Sequence, residues 1–200
     1  MNRLAAVALL FLSEEDAFWC LVAIIETIMP KDYYTQSLLG AHVDQYVLKD
    51  LIAEKLPALH AHFEKYNIEI SLFGWFLTCF IDNLAVKCYL RVWDTLLHEG
   101  SKVLFRFALA FLKYHEANLL SLTDMMSINQ YLRVFGEKTY DLKHLCNIAF
   151  SGLNPFPMSK IKQKREIYRL EVSRELEKLE NLKNTSDSDN KTLENDSQSD

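Results

Sequence analysis

Hydrophobic residues recur at helical spacing along most of this chain. Leu4–Leu12 is apolar on all sides, which predicts a helix buried on every face. Ser13, with Asp16 three residues later, predicts the cap of a second helix, whose positive N-terminal end suits Glu14, Glu15 and Asp16. Its apolar set is Phe18, Trp19, Leu21, Val22, Ile25 and Ile28, and it stops at Met29-Pro30. After a polar link with Tyr33, Tyr34 and Gly40, the run Val43, Val47, Leu48, Leu51, Ile52, Leu56 predicts a helix up to Pro57, and Leu59 and Phe63 extend its apolar face.

Residues 70–81 are hydrophobic all round, and with helices on both sides they predict a buried helix rather than a strand. Leu84–Leu97 predicts a helix ending near Gly100, with Ser101 as the cap of Val103–Tyr114. Shorter helices fit Met125–Phe135 and Leu142–Phe150. Asn154-Pro155-Phe156-Pro157 breaks the pattern, and Ser159 is placed to cap a last charged helix to about Asn181. Its core-facing set thins to Ile161, Tyr168, Val172, Leu179 and Leu182, as on a surface helix or a short coiled-coil arm. The fold class expected is all-α, and five Gly and four Pro in the whole chain argue against the frequent turns of an all-β fold.

Composition adds little to that picture: 50% hydrophobic and 24% charged is ordinary for a globular chain. The net charge of −5 is concentrated at the end, where residues 184–200 hold five acidic residues against Lys191 and read as a disordered tail. The body is then nearly neutral, which gives no basis for binding nucleic acid. Cys20, Cys79, Cys88 and Cys146 form no C-x-x-C pair and read as free thiols in a reducing compartment. Arg3 followed by Leu4–Leu12 imitates a signal peptide, and Asn184, Asn190 and Asn195 are sequons. The Ser13-Glu14-Glu15-Asp16 that follows lacks a small-residue cleavage site, so a cytoplasmic protein is expected. No stretch is long enough to span a bilayer.

Candidate chemistry is sparse. His60 and His62 are two apart, which on a helix points them to different sides, and neither has a partner at zinc spacing. His42 beside Asp44 and His98 beside Glu99 are no stronger. A Cys-His hydrolase using Cys20 or His60 has no local signature in its favour. With neither a Walker loop nor G-x-G-x-x-G, no nucleotide or other cofactor and no metal are expected.

Several short blocks, in order, carry a resemblance. They are Asn2 through Glu14-Glu15-Asp16-Ala17-Phe18-Trp19; Val43-Asp44-Gln45 leading to Leu56-Pro57-x-Leu59; and Trp75-Phe76-Leu77-Thr78. Then come Leu90-Arg91-Val92-Trp93-Asp94, Glu99-Gly100-x-Lys102-Val103-Leu104-Phe105, and Asn154-Pro155-Phe156-Pro157. Over about residues 1–182 the chain resembles the C-terminal part of a TBC domain, the family of Rab GTPase-activating proteins, in the branch of TBC domain family member 2. The resemblance implies a C-terminal TBC portion over 1–157, a charged helix over 158–183 and a tail over 184–200. The motif residues it singles out are Asn2, Trp19, Asp44, Gln45, Trp75, Arg91, Trp93, Asp94, Glu99 and Gly100.

It also implies a Rab-type small GTPase as partner, with a helical adaptor or partner chain as the alternative, and a place on endomembranes held through the Rab. Such a domain acts in vesicle trafficking and is no enzyme itself. It lends an Arg from I-x-x-D-x-x-R and a Gln from Y-x-Q-G to a GTPase, the guanidinium neutralising charge on the β/γ oxygens and the amide orienting the attacking water. Neither motif occurs in these residues. In the family Met-Asn follows directly on Y-x-Q-G, so both fingers are expected upstream of Met1 and the chain by itself is expected to be inactive. Tyr34-Thr35-Gln36 is followed by Ser37 and lies too far along to serve. Without its fingers the chain reads alternatively as a non-catalytic helical interaction protein.

Overall fold

The computed structural model describes the backbone of residues 1–134, 136, 139 and 141–196, with side chains through residue 178. Every regular element among the described residues is helical. In chain order they are α1 (Asn2–Leu9), α2 (Glu14–Val22), α3 (Leu39–Lys55), α4 (Pro57–Lys65), α5 (Phe73–Leu77) and α6 (Val86–Glu99). There follow α7 (Lys102–Tyr114), α8 (Glu116–Leu120), α9 (Met125–Val134), α10 (Leu142–Asn147) and α11 (Met158–Asp196). Two π-helical turns, Ala23–Ile28 and Ile148–Gly152, continue α2 and α10.

Helix α7 is the centre. All ten residues from Val103 to Leu112 are buried, Arg106 among them, so α7 touches protein on every side and needs an apolar surface all round. Helices α3, α6, α8 and α10 and the second π turn pack around it. Each Leu or Phe taken from water there contributes roughly 1.5–3 kcal/mol. Helix α1 packs on α2, and α11 lies along α3.

Local residue chemistry sets several helix ends, those at Ser13 and Gly100 as expected. Ser13 Oγ accepts from the Asp16 amide at 3.2 Å and caps α2, and Pro57 opens α4, where its missing N–H costs nothing. Helix α6 stops at Gly100, with φ 81°. Helix α4 closes on Asn67 at φ 52°, with bonds from Ile68 N to Phe63 O and from Asn67 N to Glu64 O. That pair of bonds is a Schellman closure, with Asn in the place usually taken by Gly.

The structure corrects the sequence reading in five places. The run 70–81 is not one helix. Only Phe73–Leu77 is α-helical, and the chain then closes with Phe80 N bonded to Trp75 O at 2.8 Å and Cys79 N to Phe76 O at 3.2 Å. Cys79 and Phe80 take left-handed conformations, φ 47° and 67°. A continued helix would stack Phe76 and Phe80 on one face with Trp75 about 100° away; here the chain turns instead, and all three rings join one cluster with Phe111. Leu4–Leu12 is not buried on every face: the helix ends at Leu9, and Leu9, Leu10, Phe11 and Leu12 are exposed, Leu10 to 73%. Phe18 and Trp19 do not join the core either, each being more than half exposed.

Ser101 does not cap α7 with its side chain; its hydroxyl is taken by a side chain of α11. Finally, α11 starts at Met158 and its backbone stays helical past Asn181 to Asp196, there being no Gly or Pro after Pro157 to stop it. Of the tail expected over 184–200, residues 197–200 lie outside the described residues, as do the side chains of Leu179 and Leu182. Phe135, the expected end of α9, is outside them too.

Candidate functional site

The residues singled out by motif separate into a buried frame and an exposed set. In the frame, Asp44 on α3 is completely buried. Arg165 on α11 meets it with two bonds, Nε to Oδ1 at 2.7 Å and Nη2 to Oδ2 at 2.8 Å. The third guanidinium nitrogen donates to Ser101 Oγ at 3.0 Å, and the group lies over the Phe105 ring. One arginine therefore joins the Val43-Asp44-Gln45 block to the stretch that begins at Glu99-Gly100. Burial pushes the Asp44 carboxyl above its ordinary value, while Arg165 and Tyr33 pull it back. The forked geometry is that of a carboxylate, so the pair is ionic. The Tyr33 hydroxyl is wholly buried nearby, and burial drives its pKa well up.

Gln45, one residue on, turns the other way and accepts the Leu72 amide at 3.1 Å, which positions the entry to α5. Among the described residues its Nε2 has no hydrogen-bond partner. Trp75 packs edge-on against Phe111, and Trp93 reaches from α6 to the Cys79 carbonyl. Glu99 pairs with Lys102 at 2.9 Å across Gly100. These residues are framework: they fix helices relative to one another.

The exposed set is not brought together with them. Asn2 opens α1 and, with Arg3, lines a cleft of about 320 Å³ against Leu77 and Thr78. Trp19 stands edge-on to Phe18 in water. Arg91 and Asp94 face solvent on α6 with 3.9 Å between them. Gln36 is exposed, whereas Tyr34 turns inward to the Leu77 carbonyl at 3.2 Å.

Two of the histidines, His62 and His115, make side-chain hydrogen bonds within the fold. His62 Nε2 lies 2.6 Å from the Leu122 carbonyl. His115, read over in the sequence, is buried with Tyr131 Oη at 2.8 Å from one ring nitrogen and Thr139 Oγ1 at 2.9 Å from the other. Among the described residues no group of His, Cys, Asp or Glu is placed to hold a metal, and no helix is long and apolar enough to cross a membrane. Cys79 and Cys88 are buried thiols, the former pushed up to about 12 by burial, and Cys20 and Cys146 are half-buried.

Two framework residues escaped the sequence reading. Arg165 was legible in principle, because it falls on the 161–165–168–172 face, where a charge has to find a partner. Arg106 was hidden inside an apolar run. It donates to the Ala149 carbonyl at 3.1 Å and to Asn154 Oδ1 at 3.2 Å, and it lies between the rings of Phe150 and Phe156. This arginine anchors Asn154-Pro155-Phe156-Pro157, which separates α11 from the body.

This helical arrangement is similar to the crystal structure of the Chlamydomonas flagellar RabGAP TBC domain, with a TM-score of 0.68 and 34% identity, over 76% of this chain and 51% of that one. The fold is that of a TBC domain. A family model of the Rab-GTPase-TBC domain matches residues 1–120, and the chain belongs to that family. Curated relatives include TBC1 domain family member 2B of Xenopus tropicalis, 53% identical over 185 residues, and of Homo sapiens, 50% identical. Human TBC1 domain family member 2A is 51% identical over 186 residues. These matches take in 92% of this chain, which spans about a fifth of each relative's length.

Proposed function

We propose that this chain forms part of a domain that stimulates GTP hydrolysis by a Rab-type small GTPase, supplying framework rather than chemistry. The observation that carries this reading is the convergence of Asp44, Trp75, Trp93 and Gly100, from separate blocks, on one frame around α7. A frame of this kind holds catalytic groups within the tolerance that in-line phosphoryl transfer demands. Because residues 1–200 contain neither I-x-x-D-x-x-R nor Y-x-Q-G, the Arg and Gln of the family mechanism come from residues outside them. The chain by itself then leaves hydrolysis unstimulated. We place the activity on the cytoplasmic face of endomembranes, where the Rab would hold it, with residues 1–157 as the TBC portion.

A second reading, a non-catalytic helical binding protein, is favoured by the apolar surface of Leu10, Phe11, Phe18 and Trp19. Water contact over such a surface is unfavourable, and further helices of a TBC domain or a partner chain would relieve it.

Single-turnover GTP hydrolysis by a panel of Rabs separates the two readings. The assay compares this chain with a version preceded by the finger-bearing segment of a TBC1 domain family member 2B. Acceleration by the longer form alone, within the roughly 10³–10⁵-fold range of trans-acting arginines, is the expected result. Equal acceleration by the 200-residue form would overturn the assignment of the fingers. No acceleration by either form would leave the binding reading in possession.

A further inference from the structure

The first two helices carry more apolar surface than the described residues cover. Of the sixteen large hydrophobics that stand exposed among those residues, seven fall between Met1 and Trp19. Single hydrophobics scattered over a surface are ordinary, whereas a concentration of them marks a contact. Helix α2 shows the imbalance most clearly. Its sequence, EEDAFWCLV, holds five apolar residues besides Ala17, yet Ala17 is the only one buried. A helix of nine residues is marginal in water and depends on packing its apolar face. The main neighbours of α2 are α1 and the π turn that continues it, and they leave Phe18 and Trp19 outside. Glu14, Glu15 and Asp16, all exposed, add an acidic rim at its start.

The likeness to the flagellar TBC domain indicates what fits this corner. That match takes in 51% of the flagellar chain, so about half of it has no counterpart in residues 1–200. The family match runs from residue 1, so the uncovered corner is the leading part of the matched region. We propose that the α1–α2 corner is the docking face for the finger-bearing half of a TBC domain, and that it holds this half even when a separate chain supplies it. The proposal rests on the reading of residues 1–200 as part of a GTPase-activating domain. Phe11 and Trp19 are the anchors, 64% and 59% exposed, and large aromatic side chains of this kind dominate interface energetics once buried. The incoming surface is helical and apolar at its centre, with cations opposite Glu14, Glu15 and Asp16. Removal of apolar surface from water drives the association, and that needs no peptide link between the halves.

The test co-expresses the 200-residue chain with the finger-bearing half of the TBC domain of human TBC1 domain family member 2B, as two polypeptides. A one-to-one complex is expected in sedimentation. Trp19 should be protected in it: the iodide-quenchable emission that Trp19→Phe removes from the free chain should be absent from the complex. Phe11→Ser/Trp19→Ser, its fold checked by circular dichroism, should weaken the complex about tenfold or more. Ile167→Ser/Leu170→Ser removes exposed apolar surface from α11 instead and should change the affinity less than about twofold. Should the first double variant fail to fold, Trp19→Ser alone should still weaken the complex about threefold or more. Stimulation of GTP hydrolysis by Rabs is read separately on the same complex. A complex formed through Phe11 and Trp19 that leaves hydrolysis unstimulated supports the docking face and overturns the activity. No complex, a complex indifferent to the aromatic substitutions, or one in which Trp19 stays quenchable would each overturn the docking face. A dimer of the chain alone that buries Trp19 and excludes the added half would overturn it in favour of a second copy as occupant.

Discussion

The indole N–H of Trp93 donates to the carbonyl of Cys79 at 3.3 Å, so that helix α6 holds in place the left-handed residue that closes α5. Cys79 has a side chain where Gly is usual, and the backbone strain there, of order 1–3 kcal/mol, persists because the surroundings fix it. Trp93→Phe keeps an aromatic ring but removes the donor. It is expected to cost about 1–3 kcal/mol, combining a lost hydrogen bond with a trimmed buried side chain. Urea unfolding should show this as a lower midpoint at unchanged slope. Cys79→Gly in the Trp93→Phe background should recover part of the loss if the strained turn is the reason.

Gly100 ends α6 at φ 81°, ψ −172°, a region essentially reserved for glycine. A Cβ added there would meet nothing within 4 Å, so any effect of Gly100→Ala comes from the backbone alone. A loss of roughly 1–3 kcal/mol is expected in thermal unfolding. An unchanged melting temperature would mean that the α6–α7 corner adapts freely.

Of the three tryptophans, Trp19 is 59% exposed whereas Trp75 and Trp93 are buried. Its emission should be red-shifted and quenched by iodide, and Trp19→Phe should remove the quenchable component. Since Trp19 packs only on Phe18 in the described ring contacts, Trp19→Ser should change stability by no more than about 0.5 kcal/mol.

Acid acts on the α3–α11 contact with two signs. The Lys160 hydrogen bond holds Glu54 below its ordinary 4.5. For Asp50, burial works upward, yet hydrogen bonds from Lys164 and Tyr168 carry it below 3.8. Both therefore contribute stability that is present above those ordinary values and lost as pH falls through the depressed ones. Asp44 is raised, chiefly by burial. Its contribution is fully present below 3.8 and falls away as pH climbs through its folded value. Unfolding measured across a pH series should show Asp50→Asn flattening the acid-side loss, and Asp44→Asn steepening it.

The sequence by itself determined the helical class, the order of the elements and most of their ends. Ser13, Pro57, Asn67 and Gly100 act through bonds within a few residues, and their effect is written in the local chain. It also carried the family, because blocks kept in order need no coordinates to be read. Helical periodicity, however, says only that a side chain is apolar, not that the fold has a place for it. Leu10 and Phe11 were therefore expected in a core they do not reach, and Phe18 and Trp19 of the next apolar set stand exposed as well. For the same reason 70–81 looked like one helix. In the tertiary structure the chain turns at Cys79, and Trp75, Phe76 and Phe80 all lie against Phe105 or Phe111 of α7. The pairing of Asp44 with Arg165 spans 121 positions. No local rule reaches so far: a buried carboxylate requires a counter-charge, and which cation answers it is decided by the path of α11 across α3.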